Sequence, residues 1–273
     1  MVPRRILAAA LAASAAFGGP APDGAGAIDL PVQLPALTAA DLAAAISAPA
    51  AWSPDTWGQI GLGAATLAGL SLALDRPVDR GLRRSDLGAY DPWARRLGTL
   101  GGAGTVVIAG GAYLGGLLAD RPRVREFGAD AALSMLVAQG VLTLPGKYLS
   151  GRARPTADTG PYHFTPFRGD PAFPSAHATQ AFSLATVISA YADNAWASAA
   201  AYTGATLVGL ARIEQRAHFV SDVAAGAVIG TLSARAVLQR HRTLRLGARG
   251  HAQFSLEPAW TGQRPGLLLK VRF

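Results

Sequence analysis

Six apolar stretches, each free of Asp, Glu, Lys and Arg, set the rhythm of this chain: residues 56–74, 97–119, 131–146, 171–192, 194–211 and 223–234. Their lengths and their Ala and Leu content predict helices. Ahead of them, residues 28–55 are rich in Pro and Ala and read as a leader with one short helix over 39–46. Behind them the pattern changes. Residues 252–257 alternate, turn residues cluster over 261–266, and 267–273 form a second strand, which together predict a β-hairpin packed on the helices. The expected fold class is all-α, a six-helix bundle over residues 56–240 with a short C-terminal β-hairpin tail over 241–273.

The N-terminus adds a targeting signal. Arg4 and Arg5 precede an apolar run from Ile6 to Phe17, and Ala25-Gly26-Ala27 follows as a small-residue cleavage site ahead of Ile28. This is the layout of a secretory signal peptide over residues 1–27, with an uncleaved anchor helix as the alternative. Export to a bacterial cell envelope, facing the periplasm, is the expected location. Several runs are long enough to cross a bilayer, yet 97–119 holds eight glycines in 23 residues and would insert weakly. Three spans before Lys147 would also turn the loop beginning there to the cytoplasm. A bundle lying in the periplasm against a membrane avoids that conflict and is the expected arrangement; membrane-integral placement stays open.

Composition narrows the partners. Half of the residues are hydrophobic, 15% are charged, and mean hydropathy is +0.25. The net charge of +8 comes almost wholly from arginine, since Lys147 and Lys270 are the two lysines. A basic excess suits anionic lipid or a phosphorylated substrate. No block rich in both arginine and aromatics is present, so nucleic acid is not an expected partner. With no cysteine, disulfides and thiolate chemistry are excluded.

Polar residues gather at three places, each at the edge of an apolar run. They are KYLSGRARP with Lys147, Arg152, Arg154 and Pro155; FPSAHATQAF with Pro174, Ser175 and His177; and ARIEQRAHFVSD with Arg212, Arg216, His218 and Asp222. In an antiparallel bundle these ends share one face. Lys147, Arg154 and Arg212 would then form a pocket of three cations, matched to the oxygens of a phosphoryl group. Ser175 can cap a helix whose first free N–H groups, at Ala176 and His177, would point at an anion. His218 and Asp222, four apart, share a helical face, so the carboxylate can fix the tautomer and leave the other ring nitrogen as nucleophile. His177 would protonate a leaving alkoxide and later activate water. Two histidines within a ring of cations spell phosphoryl transfer through a phosphohistidine.

The pattern Lys147-x6-Arg154-Pro155, Pro174-Ser175-Ala176-His177 and Arg212-x5-His218-x3-Asp222 resembles the type 2 phosphatidic acid phosphatase and vanadium haloperoxidase superfamily, over roughly residues 56–240. The resemblance implies the helical bundle of that type, with His218 as nucleophile, Asp222 as its orienting partner and His177 as acid. It implies phosphate binding by Lys147, Arg154, Ser175, Ala176 and Arg212. Two positions depart from it: Ala176 stands where the family has glycine, and Ala211 where it has serine. The expected activity is metal-independent hydrolysis of phosphate monoesters or pyrophosphates, the substrate a phosphorylated lipid or a small phosphate ester at a membrane. No metal and no cofactor are expected, and vanadate would act as inhibitor. The alternatives are a vanadate-dependent haloperoxidase, in which vanadate is the cofactor, and a non-catalytic envelope protein that binds anionic lipid. A metal shared by His177, His218 and Asp222 is a further reading that the surrounding cations disfavour. Arg152 is expected to reach substrate or solvent. The loop residues Tyr162, Phe164, Phe167 and Arg168 are candidates for leaving-group contacts, and His163, His241 and His251 are expected at the surface.

Overall fold

The computed structural model describes residues 30–85, 92–248, 253–261 and 264–272; the signal peptide expected over 1–27, and His251, lie outside them. Among the described residues there are seven helices rather than six: α1 (Leu30–Ser47), α2 (Pro54–Arg84), α3 (Pro92–Leu118), α4 (Pro122–Ser150), α5 (Ala176–Ala192), α6 (Ala195–Glu214) and α7 (Val220–Ala248). Strands β1 (Gln253–Thr261) and β2 (Arg264–Arg272) pair antiparallel, from Gln253↔Arg272 to Thr261↔Arg264.

The extra helix corrects the leader. Where one short helix over 39–46 was expected, α1 runs for 18 residues. Tertiary contacts extend it. Leu42 and Ala45 pack on Leu133, Val137 and Val237 of α4 and α7. Buried Asp41 accepts from Arg240 Nη1 at 2.9 Å and lies 2.8 Å from His241 Nε2. His241 in turn places Nδ1 2.6 Å from Asp130 of α4. The expectation of a surface His241 is therefore wrong: its ring is 3% exposed and sits between two carboxylates.

Helix starts follow local rules. Ser53 accepts from Thr56 N ahead of Pro54, Ser175 accepts from Ala178 N, and Asn194 accepts from Trp196 N, the N-cap bonds that satisfy first-turn donors. α2, α3 and α4 each carry one π-helical turn, at Ser71–Asp75, Leu100–Gly104 and Ala138–Thr143.

Helix α5 is central, packed by α4, α6 and α7. One cluster joins Ala109, Phe127, Ala131, Met135, Leu184, Val187 and Ala234 from α3, α4, α5 and α7. A second joins Ala181 and Ala185 to Ala205 and Val208 between α5 and α6. These are mostly small side chains, so the helices approach closely. By contrast, the apolar window of α2 has nothing buried inside the protein, leaving Trp57, Leu62 and Leu72 at least half exposed. α2, α3, α4 and the Val220–Arg242 part of α7 are long and apolar enough to cross a membrane.

Candidate functional site

The three polar clusters meet at one end of the bundle, where α4 and α6 finish and α5 and α7 begin. Gly151 closes α4 in the left-handed region, at φ 53°, and an added Cβ there would collide with the carbonyl of Thr165. Only glycine fits that turn, which sends the RARP segment back across the bundle end. Lys147, in the last turn of α4, donates from Nζ to Pro171 O at 2.6 Å. Arg154 donates to Asp170 Oδ1 at 2.8 Å and to Ala217 O at 3.5 Å. Arg212, in the last turn of α6, bonds Gln215 Oε1 at 2.5 Å. The charges of Arg212, Arg154 and Lys147 all act on His177, and His218 lies within electrostatic reach of it, so the three cations and both histidines share one small region.

Ser175 is fully buried, and its hydroxyl is engaged in the α5 cap. Its main-chain N–H donates to Asp222 O at 3.0 Å, fixing the start of α5 against the start of α7. Ala176 and His177 form the open first turn of α5. Helix α3 closes the other side, because Gly98 and Gly102 lack side chains. A Cβ on Gly98 would lie 3.2 Å from Arg212 Nη1, and one on Gly102 would lie 2.9 Å from His177 Nε2.

His218 sits in the tight turn between α6 and α7, where its N–H and that of Ala217 both donate to Arg212 O. The turn needs Arg216 at φ 51°, a conformation uncommon for a side-chain-bearing residue. The guanidinium of Arg216 holds it there by bonding Asp79, Asp158 and Pro155 O. The His218 ring is 2% exposed, with Nδ1 3.8 Å from Asp222 Oδ2, a charge contact longer than a hydrogen bond. Asp222 Oδ2 accepts from Phe219 N at 2.8 Å, as a third-position acid reaches back to a helix start. Burial drives the His218 pKa below its ordinary value; Asp222 opposes this, and the Lys147 and Arg154 charges reinforce it. The ring is therefore neutral at physiological pH, the state a nitrogen nucleophile needs. His177 is pushed down to about 4, by burial first and then by the surrounding cations. Among the described residues, no group of three or more His, Asp or Glu is placed to hold a metal ion.

Arg152 is where the sequence reading fails. It does not face substrate or solvent: it is 3% exposed. Its Nη1 donates to Asp222 Oδ1 at 2.6 Å and Ser221 Oγ at 2.7 Å, its Nη2 to Asp75 Oδ2 at 2.7 Å, and its Nε to Pro161 O at 2.8 Å. Asp75 and Ser71, from the π-helical turn of α2, were not singled out. The one available signal was a carboxylate placed directly after the first apolar run. In the 156–173 loop, Tyr162 packs under Arg76 and Phe164 under Arg152, while Phe167 is 70% exposed.

A helical bundle that gathers three cations, two histidines and a helix start at one end has the chemistry of an anion-binding site. Residues 128–246, which contain every one of those side chains, match the family model of the PAP2 superfamily. A lipid A 1-phosphatase from Porphyromonas gingivalis is 34% identical over 103 residues, covering 37% of this chain and 21% of that relative. The chain thus spans about a fifth of the length of that curated relative. Among solved structures, a transmembrane PAP2 type phosphatidylglycerolphosphate phosphatase from Bacillus subtilis is 20% identical and covers 89% of this chain and 96% of its own, with a TM-score of 0.29.

Proposed function

We propose that this protein is a metal-independent phosphatase of the bacterial envelope that hydrolyses phosphate monoesters or pyrophosphates carried on a lipid. The observation that carries the reading is the meeting of Lys147, Arg154, Arg212 and the α5 start around His177 and a buried, neutral His218. The phosphoryl group sits among the cations. His218 Nε2 forms a bond to phosphorus as the bond to the ester oxygen breaks, and His177 supplies the proton that leaves with the alcohol. Water then attacks the phosphohistidine and gives a proton to His177, and the N–P bond breaks to release phosphate. Before the first step His177 must gain a proton, which the dianionic phosphoryl group favours by offsetting the nearby cations.

A lipid substrate is supported by the long α2 face that nothing in the protein covers, and by the lipid A 1-phosphatase relative. The export signal read at residues 1–27 supports a site on the periplasmic side. Because α2, α3 and α4 all precede Lys147 and an export signal leaves the α2 start outside, that placement needs at least one of the three not to cross.

The test is phosphate release by the purified chain with EDTA present, comparing a long-chain lipid phosphate with a small soluble ester, and wild type with His218→Ala. Lipid turnover that disappears in the variant is the expected result. Undiminished turnover in folded His218→Ala would sink the reading.

A further inference from the structure

Behind the His218–Asp222 pair lies a buried set of charges that extends beyond the three motifs. Asp75, Arg152 and Asp222 are each 3% exposed or less. Arg152 bridges the two carboxylates, and Ser221 ties Asp75 to α7 through its N–H, 2.9 Å from Oδ1, and its hydroxyl, 2.5 Å from Oδ2. Ser71 Oγ adds a donor to Asp75 Oδ2 at 2.6 Å. Two carboxylates around one guanidinium leave one net negative charge in a site without solvent. A buried guanidinium needs one carboxylate for neutrality, so the second is an excess that stability alone does not explain. Asp75 also lies outside the segment that matches the superfamily.

We infer that Asp75 and Arg152 are positioning residues for the transfer to His218, setting the orientation and the net charge of the Asp222 carboxylate behind its ring. This inference rests on the reading of His218 as nucleophile. Arg152 fixes Asp222 Oδ1, so Oδ2 is the oxygen presented to His218 Nδ1. When Nε2 bonds to phosphorus, the ring keeps its Nδ1 proton and becomes cationic. The ring charge and the one excess negative charge of the set then cancel. With Asp75 neutralised, the same step would leave an uncompensated buried cation, which is costly in low dielectric.

The charged and titratable groups around His218 are Asp222 on α7, Lys147 on α4, Arg154 and Asp170 in the connecting loop, His177 on α5 and Arg212 on α6, with Arg152 behind Asp222 and Asp75 and Asp79 of α2 lining the same cavity. Of these only Asp75 changes in the variant Asp75→Asn, so a shift in the pH profile reports on Asp75. The experiment measures kcat, KM and the pH dependence of kcat/KM on phosphatidic acid in mixed micelles, together with inorganic phosphate binding by calorimetry. Asp75→Asn is expected to lower kcat by roughly tenfold or more, as for a group acting in the transition state, with KM and phosphate affinity within about twofold of wild type. The acid limb, where His218 protonates, moves to lower pH, because removing a negative charge disfavours the cationic ring. Asp75→Glu, which restores the charge, returns the limb toward wild type. A folded Asp75→Asn with an unmoved limb and unchanged kcat overturns the inference. If Asp75→Asn does not fold, Ser221→Ala takes its place. It leaves the charge and removes a donor to Asp75, so the limb moves to higher pH, and an unmoved limb there also overturns it. His218→Ala runs alongside: activity retained in that variant defeats the nucleophile reading itself, whereas its loss with a wild-type-like Asp75→Asn defeats this inference alone.

Discussion

Replacing Gly226 with alanine tests how tightly the site is assembled. A Cβ built there would lie 2.5 Å from Ser175 O, 3.0 Å from Ala178 Cβ and 3.2 Å from Thr179 N. Ordinary contact begins at 3.4 Å, so the α5 start must retreat from α7 by about 0.9 Å. The obstacle is backbone, which cannot rotate aside as a side chain would. Ser175 N–H is also bonded to Asp222 O, so the same retreat carries Ser175, Ala176 and His177 away from His218. Overpacking of this kind costs about 1–3 kcal/mol, and a displacement near 1 Å between reacting groups costs on the order of 10²-fold in rate. Thermal unfolding in detergent micelles reads the first effect, and kcat at saturating lipid phosphate reads the second. Gly204→Ala is the control, because nothing lies within 4 Å of a Cβ at that position. Gly226→Ala with Tm and kcat both equal to wild type would refute the close approach of α5 and α7.

Two further outcomes are expected. Asp41→Ala strips one carboxylate from buried His241 and from half-buried Arg240. It should cost about 3–5 kcal/mol in denaturant unfolding, as for a buried pair broken on one side. Because His241 lies 19 residues beyond Asp222 on α7, about 28 Å along the helix axis, kcat per folded molecule should not change; a stability loss under about 1 kcal/mol would contradict the network. Phosphate binding should take up a proton at pH 6–7, because His177 is held down to about 4 in the empty site and the bound dianion raises it. Calorimetry in buffers of different ionisation enthalpy measures that uptake. His177→Ala should abolish it, and no uptake by the wild-type protein would count against His177 facing the phosphoryl group.

Much of the architecture was legible because it is local. The six apolar runs became α2 to α7, and the caps at Ser53, Ser175 and Asn194 follow from residue type beside a helix start. The motif residues were legible too, since spacing along helices and at their ends decides which side chains can share a bundle face. Arg152, by contrast, was misread and Asp75 overlooked. Nothing in KYLSGRARP tells Arg152 from Arg154: one turns inward to carboxylates 70 and 77 positions away, the other stays at the rim with Asp170.

The same distinction accounts for α1 and His241. Pro31 and Pro35 weaken the helical signal at the start of this stretch, and α1 is stabilised by contacts with residues up to 200 positions away. By itself the sequence determined the helices, their starts and the polar groups at their ends, because those depend on neighbours within a turn or two. The tertiary structure alone decided which charges are buried and which partner neutralises each, because a buried charge is stable only beside a partner that the fold brings from elsewhere in the chain.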